Sequence, residues 1–253
     1  MSSQFASNPN KKPKHSTNIK TKSNMLQAAT GRTLKTVLFM GSAKDITPPW
    51  GGPSRVGDGI TEWVKKEILK RSASLGNGEE ITHELTVYDP KEIFGKGGAL
   101  ESSGAEIRTP HFFFKSGEAP AAMEEMAKTI KEADCYLIVS PEYNHSIPPA
   151  ISGMMGHFGG SCYAYKPSAT ITYSIGPYAG ARTAVALRPF LSELGCLPVS
   201  KMGCFSDSGS IFEQDGSLKD ENHRQLKQLD GVLTQLEWWA VACANQRETS
   251  GVP

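Results

Sequence analysis

Apolar residues in this chain gather into short runs separated by polar and glycine-rich stretches, and the spacing inside each run sets its expected secondary structure. Lys35–Met40 is a β-favouring run that ends at Gly41 and Ser42, which reads as a buried strand followed by a turn. Ile60, Trp63, Val64 and Ile68 recur at helical spacing, which predicts a helix from about Val56 to Leu75. A second strand is expected from Ile81 to Asp89. The stretch from there to Ala119 reads as irregular, because glycines at Gly97, Gly98 and Gly104 interrupt any period. Loops this long are commonly functional or disordered. Its apolar Phe112, Phe113 and Phe114 are expected to fold back into ordinary core packing, with burial at a subunit contact as the alternative.

Met123, Met126, Ala127 and Ile130 support a helix from Ala121, and Cys135–Val139 reads as a fully buried parallel strand. A helix from Ala150 to Phe158, a strand at Ala169–Tyr173, a helix from Ala181 to Leu194 and a strand at Leu197–Lys201 continue the alternation. Pro189 should kink or split the helix that contains it, since it removes a donor and crowds the preceding turn. In the last helix Leu226, Leu229, Leu233 and Leu236 form a stripe widened by Val232 and Trp239. That stripe is expected to dock on the sheet, because it lacks the sustained heptads of a coiled coil. Strands alternating with helices predict an α/β fold with a parallel sheet and right-handed crossovers. In such sheets ligands bind beyond the carboxyl ends of the strands. The loops after the first, third and fourth strands are therefore the candidates for function.

Composition narrows this picture. A length of 253 residues suits one domain plus appendages. No acidic residue precedes Asp45, whereas Lys11, Lys12, Lys14, Lys20, Lys22, Arg32, Lys35 and Lys44 do. Residues 1–33 also lack periodic apolar positions and read as a disordered basic tail, with a transit peptide as the alternative. The folded domain is expected at 34–246 and a flexible C-terminus at 247–253. The net charge of +1 argues against nucleic acid or an anionic membrane as partner, and no apolar run is long enough to span a bilayer. Five cysteines without a C-x-x-C pair fit free thiols in a reducing, cytoplasmic setting, with organelle targeting through the tail as the alternative.

Three loops carry the candidate chemistry. The first leaves a strand at Gly41 and enters a helix at Val56, where unpaired amides and the helix dipole attract an anion. Ser42 and Ser54 offer hydroxyls there, and Lys44 and Arg55 offer positive charge. In the second, Pro141, Pro148 and Pro149 stiffen a shelf on which Tyr143 presents an aromatic face and Asn144 a polar edge suited to a flat heterocycle. The third contains Ser174, Gly176, Tyr178 and Gly180, whose glycines permit close backbone approach to a ligand. Arg182 then opens a helix. His145 and His157 form no triad or metal-ligand spacing, and Glu142 is expected to hold its loop rather than act as an acid.

With Ser140-Pro-Glu-Tyr-Asn144, the Gly-Pro-Tyr-Ala-Gly-Ala-Arg stretch ending at Arg182, and Leu236-Glu-Trp-Trp-Ala240, the chain resembles the NADPH-dependent FMN reductases from about Leu34 to Ala244. The resemblance implies a flavodoxin-like three-layer sandwich with a five-stranded parallel sheet in the order 2-1-3-4-5. It implies FMN as cofactor and NADPH or NADH as donor, with a small-molecule acceptor and a homodimer or homotetramer. The FMN phosphate would lie on Ser42, Lys44, Ser54 and Arg55. The ring would lie between Pro141, Glu142, Tyr143 and Asn144 on one side and Ser174, Gly176, Tyr178 and Gly180 on the other. Three features depart from the family pattern: Lys44 replaces an arginine, Asp45–Gly52 lengthens the first loop, and Gly153 and Gly156 fall in a helix. A flavodoxin-type electron carrier and a flavin-free interaction protein are the rival readings.

Overall fold

In a computed structural model the described residues are 31–43, 49, 51, 54–75, 78–101 and 109–253. The elements run β1 (Arg32–Met40), α1 (Val56–Lys70), β2 (Ala73–Ser74), β3 (Glu80–Tyr88), α2 (Pro90–Ile93), α3 (Ala121–Glu132) and β4 (Cys135–Pro141). Then come α4 (Pro149–Gly156), α5 (Gly160–Tyr163), β5 (Pro167–Tyr173), α6 (Ala181–Glu193), β6 (Leu197–Phe205) and α7 (Lys227–Ser250). The sheet order is β2-β3-β1-β4-β5-β6. Its five long strands are parallel and follow the expected order, but the sheet has six strands, because β2 pairs antiparallel with β3 through Ala73–Ile81 and Ser74–Glu80.

That edge strand lies in residues that the periodicity assigned to α1. The helix stops at Lys70, where Arg71 turns extended and sends its side chain to Asp230, Thr234 and Glu237 on α7. Two residues are too few to show a strand period, so β2 leaves no mark in the hydrophobic pattern. β6 also runs on to Phe205, past the expected end at Lys201.

Side chains alternate across the sheet with period two. Leu34, Leu38 and Met40 of β1 face a core formed with α1 and α7, while Val37 and Phe39 face a second core formed with α3, α4 and α6. All seven residues of β4 and of β5 are buried, as central parallel strands with helices on both faces require. Leu229, Val232, Leu233 and Leu236 dock α7 onto the first core. Trp239, expected on that face, is instead 37% exposed and packs edge-to-face with exposed Trp238.

Three other expectations change. α6 is not split at Pro189, which sits on its exposed side. Phe114 packs against the second core, but Phe112 and Phe113 are exposed and touch each other, so core packing holds for only one of the three. The folded chain also extends beyond 34–246 at both ends. β1 begins at Arg32, and α7 continues to Ser250, with Arg247 bonded to Asp134 and to the Tyr165 carbonyl. The basic tail up to residue 30 lies outside the described residues. Among the described residues no helix is long and apolar enough to cross a membrane.

Candidate functional site

Ser42 follows β1, Glu142–Asn144 follow β4, which ends at Pro141, and Ser174 follows β5, so the three loops stand side by side at the carboxyl end of three adjacent strands. Close packing fixes the first. A Cβ at Gly41 would lie 2.6 Å from Ser140 Oγ and 2.9 Å from Ile151 Cγ1, so only glycine lets β1 end against β4. A Cβ at Gly57 would lie 2.3 Å from the Tyr173 hydroxyl and 2.9 Å from Ser42 Cβ. The first turn of α1 is therefore pressed against the ends of β1 and β5. Ser42 is buried, and its hydroxyl lies 3.2 Å from that of Tyr143. Ser54 is half-buried before the helix, and Lys44 lies outside the described residues.

The second loop is tighter than its prolines alone imply. Tyr143 N donates to the Ser146 carbonyl at 3.2 Å and Ser146 N to the Tyr143 carbonyl at 2.9 Å, while Asn144 and His145 have φ of 50° and 60°. This is a two-residue hairpin turn of the kind that needs left-handed residues, which asparagine and histidine tolerate better than most. Pro141 ends β4 and is buried, and Pro149 occupies the first turn of α4, where a missing amide donor costs nothing. Glu142 holds the loop as expected: it accepts from the Arg182 amide at 3.1 Å and from the Arg182 guanidinium at 3.0 Å.

In the third loop the two glycines differ. A Cβ at Gly180 would meet Thr172 Cβ and Tyr173 N at 2.8 Å, and its φ is 70°. Its backbone approach is thus to β5. A Cβ at Gly176 would meet nothing within 4 Å, so the space beside it is open. Ser174 Oγ donates to the Gly176 carbonyl at 2.6 Å, and exposed Tyr178 lies under the Arg182 guanidinium at 4.5 Å. His145 meets the Tyr178 ring edge-on, and His157 Nδ1 donates to the Gly153 carbonyl.

Arg55 is buried at the N-cap of α1, and its guanidinium engages Asp89, Asp58 and the Ser42 carbonyl. Burial by itself would lower its pKa; the bonds and charges of Asp89 and Asp58 outweigh that and raise it. Asp89 and Asp58 are site residues that the sequence pattern does not single out. A strand-end aspartate before Pro90 is legible as a helix cap, and Asp89 does accept from Lys91 N. Its bond to Arg55 is not legible, because it depends on β3 lying next to β1.

A phosphorylated planar ring suits this arrangement. Arg55 at the N-cap makes no side-chain cap bond to α1, the Ser42 hydroxyl lies beside that helix start, and the Tyr173 hydroxyl is buried behind it next to Ser42, with no well-formed hydrogen bond among the described residues. Burial raises the Tyr173 pKa, and nearby Tyr143 adds to the shift, so this phenol stays protonated and available as a donor.

The sequence model of the NADPH-dependent FMN reductases matches residues 34–209, and the chain belongs to that family. The Leu236–Ala240 stretch that forms part of the resemblance falls beyond the match. The chain is 31% identical over 137 residues to a probable NADPH:quinone oxidoreductase 1 of Oryza sativa subsp. japonica, covering 51% of this chain and 68% of the relative. It is 34% identical over 121 residues to a quinone reductase of Escherichia coli, covering 46% of this chain and 63% of that protein, just under two thirds of it. Among solved structures it is similar to FerB, a flavoenzyme NAD(P)H:(acceptor) oxidoreductase from Paracoccus denitrificans, with a TM-score of 0.53 at 17% identity over 81% of this chain and 98% of that one. That likeness shows the fold.

Proposed function

We propose that this protein is an FMN-dependent oxidoreductase that takes hydride from NADPH or NADH and passes reducing equivalents to a small acceptor. The observation that carries the reading is the meeting of the Ser42 and Tyr143 hydroxyls at 3.2 Å beside the uncapped start of α1, which joins a phosphate-binding geometry to the aromatic shelf of the second loop. Ser42, Ser54 and the first amides of α1 would hold the phosphate, with Tyr173 donating from behind and Lys44 supplying charge. The turn at Tyr143 and Asn144 would border the ring, pinned by Pro141 and by Glu142. Ser174 and Gly176 would leave its other side open, with Tyr178 at the rim. FMN, when bound, supplies the hydride chemistry, and the protein's part is position and electrostatics.

With one open side, the nicotinamide donor and the acceptor would bind in turn. A quinone, azo compound, ferric complex, metal oxyanion or flavin is the acceptor class in view. Relatives named quinone reductase support the first of these. A homodimer or homotetramer in the cytoplasm completes the proposal. The test is the visible spectrum of the purified protein with FMN, before and after anaerobic NADPH. A bound-flavin spectrum that bleaches on addition of the donor is expected. Protein that takes up no FMN, or holds it without reduction, would overturn the reading in favour of an interaction protein or an electron carrier respectively.

A further inference from the structure

Asp89 ends the loop after β3 and has no place in the ligand contacts proposed above. Its Oδ1 accepts from Arg55 Nη1 at 2.8 Å and from Lys91 N at 2.8 Å, and its Oδ2 accepts from Arg55 Nη2, so the carboxylate and the guanidinium meet fork to fork. From that anchored position Arg55 Nη1 also donates to the Ser42 carbonyl at 3.0 Å, and Nε donates to Asp58 Oδ1 at 2.7 Å, with Nη2 2.6 Å from the same oxygen. Four of the five N–H groups of the guanidinium therefore donate to acceptors within the protein, and Nη2 lies in ion-pair contact with Asp58 as well. A fork held in this way is turned toward Asp89, Asp58 and the Ser42 carbonyl rather than toward a phosphate, and two carboxylates outweigh its charge.

The same bonds have a geometric consequence. One side chain joins Ser42, where the first loop opens, to the N-cap of α1, where it closes, and ties both to the end of the neighbouring strand. We infer that Asp89 is a positioning residue for the phosphate end of the FMN site, acting through Arg55 to fix the Ser42 hydroxyl relative to the first amides of α1. The inference rests on the FMN reading proposed above and reassigns Arg55 from ligand to clamp. It also accounts for how a loop lengthened by Asp45–Gly52 can keep its two ends in register.

Calorimetric titration of the flavin-free protein with FMN and with riboflavin tests it, using the wild type, Asp89→Asn, Arg55→Met and the double variant. Asp89→Asn should weaken FMN binding roughly tenfold or more, the equivalent of about 1.4 kcal/mol, and leave riboflavin binding nearly unchanged. In the Arg55→Met background the same change should have no further effect, because Asp89 acts through Arg55. Should Asp89→Asn fail to fold, Asp89→Glu keeps the charge, displaces the fork and should weaken FMN in the same direction. FMN bound as well or better by the variant would overturn the inference, since it would mean that a released Arg55 meets the phosphate itself. Equal losses for FMN and riboflavin would overturn it as well, by showing general loosening. A wild type that binds neither flavin would instead bring down the cofactor reading, and the inference with it.

Discussion

The Glu142 carboxylate caps α6 from a different loop, accepting from the Arg182 amide at 3.1 Å and from the Arg182 guanidinium at 3.0 Å. The Glu142 side chain is 6% exposed and that of Arg182 41%, so the pair is shielded at one end only. A negative charge at the start of a helix also meets the positive end of the helix dipole. The two contacts hold the second and third loops together on either side of the proposed ring position.

Glu142→Ala should therefore affect both stability and flavin binding. The loss of two charge-assisted bonds should lower unfolding stability by about 1–3 kcal/mol, read by urea denaturation of the flavin-free protein. FMN affinity should fall with it, and Glu142→Gln, which still accepts a bond, should lie between. Unchanged stability in the alanine variant would show that the loops are held by other contacts.

Gly57 and Tyr173 make a second, separable case. With 2.3 Å between a Gly57 Cβ and the Tyr173 hydroxyl, Gly57→Ala must displace one of the two, an overpacking that typically costs ~1–3 kcal/mol. Tyr173→Phe removes a buried hydroxyl that lies beside Ser42 and makes no well-formed hydrogen bond among the described residues, and should change stability by less than ~1 kcal/mol. The double variant should recover part of the loss, since the added methyl still lies 2.9 Å from Ser42 Cβ, as denaturant midpoints would show. If the hydroxyl serves the FMN phosphate, Tyr173→Phe should also weaken FMN binding while stability holds. A destabilised Tyr173→Phe would mean that the hydroxyl has a structural partner.

The layers of the fold are legible in the sequence because each rests on a local period: the apolar run of β4, the three-and-four spacing of α1 and the leucine stripe of α7. The turn chemistry is legible in part, since the proline and asparagine of the second loop announce a stiff bend. What stays hidden depends on neighbours across the sheet. Asp89 finds Arg55, and Glu142 finds Arg182, only because the strand order brings their loops together. Arg55 looks like a free cation in the sequence for the same reason, since its two carboxylates lie one turn along α1 and at the end of β3. Gly180 looks open to a ligand, although β5 fills the space beside it.

The leucine stripe of α7 also conceals a charge. Glu237 is fully buried, and its Oε1 lies 2.5 Å from Arg71 Nε and 3.1 Å from His83 Nε2, while His83 Nδ1 lies 2.8 Å from Thr36 Oγ1. The network links α7 to the residue that ends α1 and to two strands. Removing one partner of a buried pair commonly costs about 3–5 kcal/mol, and Glu237→Ala should fall in that range by chemical denaturation. Glu237→Gln, which can still accept from Arg71, should cost less. A loss below ~1 kcal/mol in the alanine variant would show that the pair contributes little to the docking of α7.

Lys166 supplies a prediction in pH. Its buried ammonium donates to the carbonyls of Ile130, Lys131 and Cys162, at the carboxyl ends of α3 and α5, and to the Tyr136 hydroxyl. Burial, and after it the charge of Arg247, lowers its pKa from 10.5 to about 8. Between those two values the unfolded chain keeps a proton that the folded protein has released, so this group's contribution to stability rises with pH across that interval. Below pH 8 both states are protonated and the contribution is level. The difference in unfolding free energy between the wild type and Lys166→Met should therefore be flat from pH 6 to about 7.5 and grow in the wild type's favour up to about pH 10, by less than ~1.4 kcal/mol per pH unit. The comparison cancels titrations common to both proteins. A difference that shrinks as pH rises would mean that the charged ammonium is favoured by its carbonyl partners more than burial disfavours it.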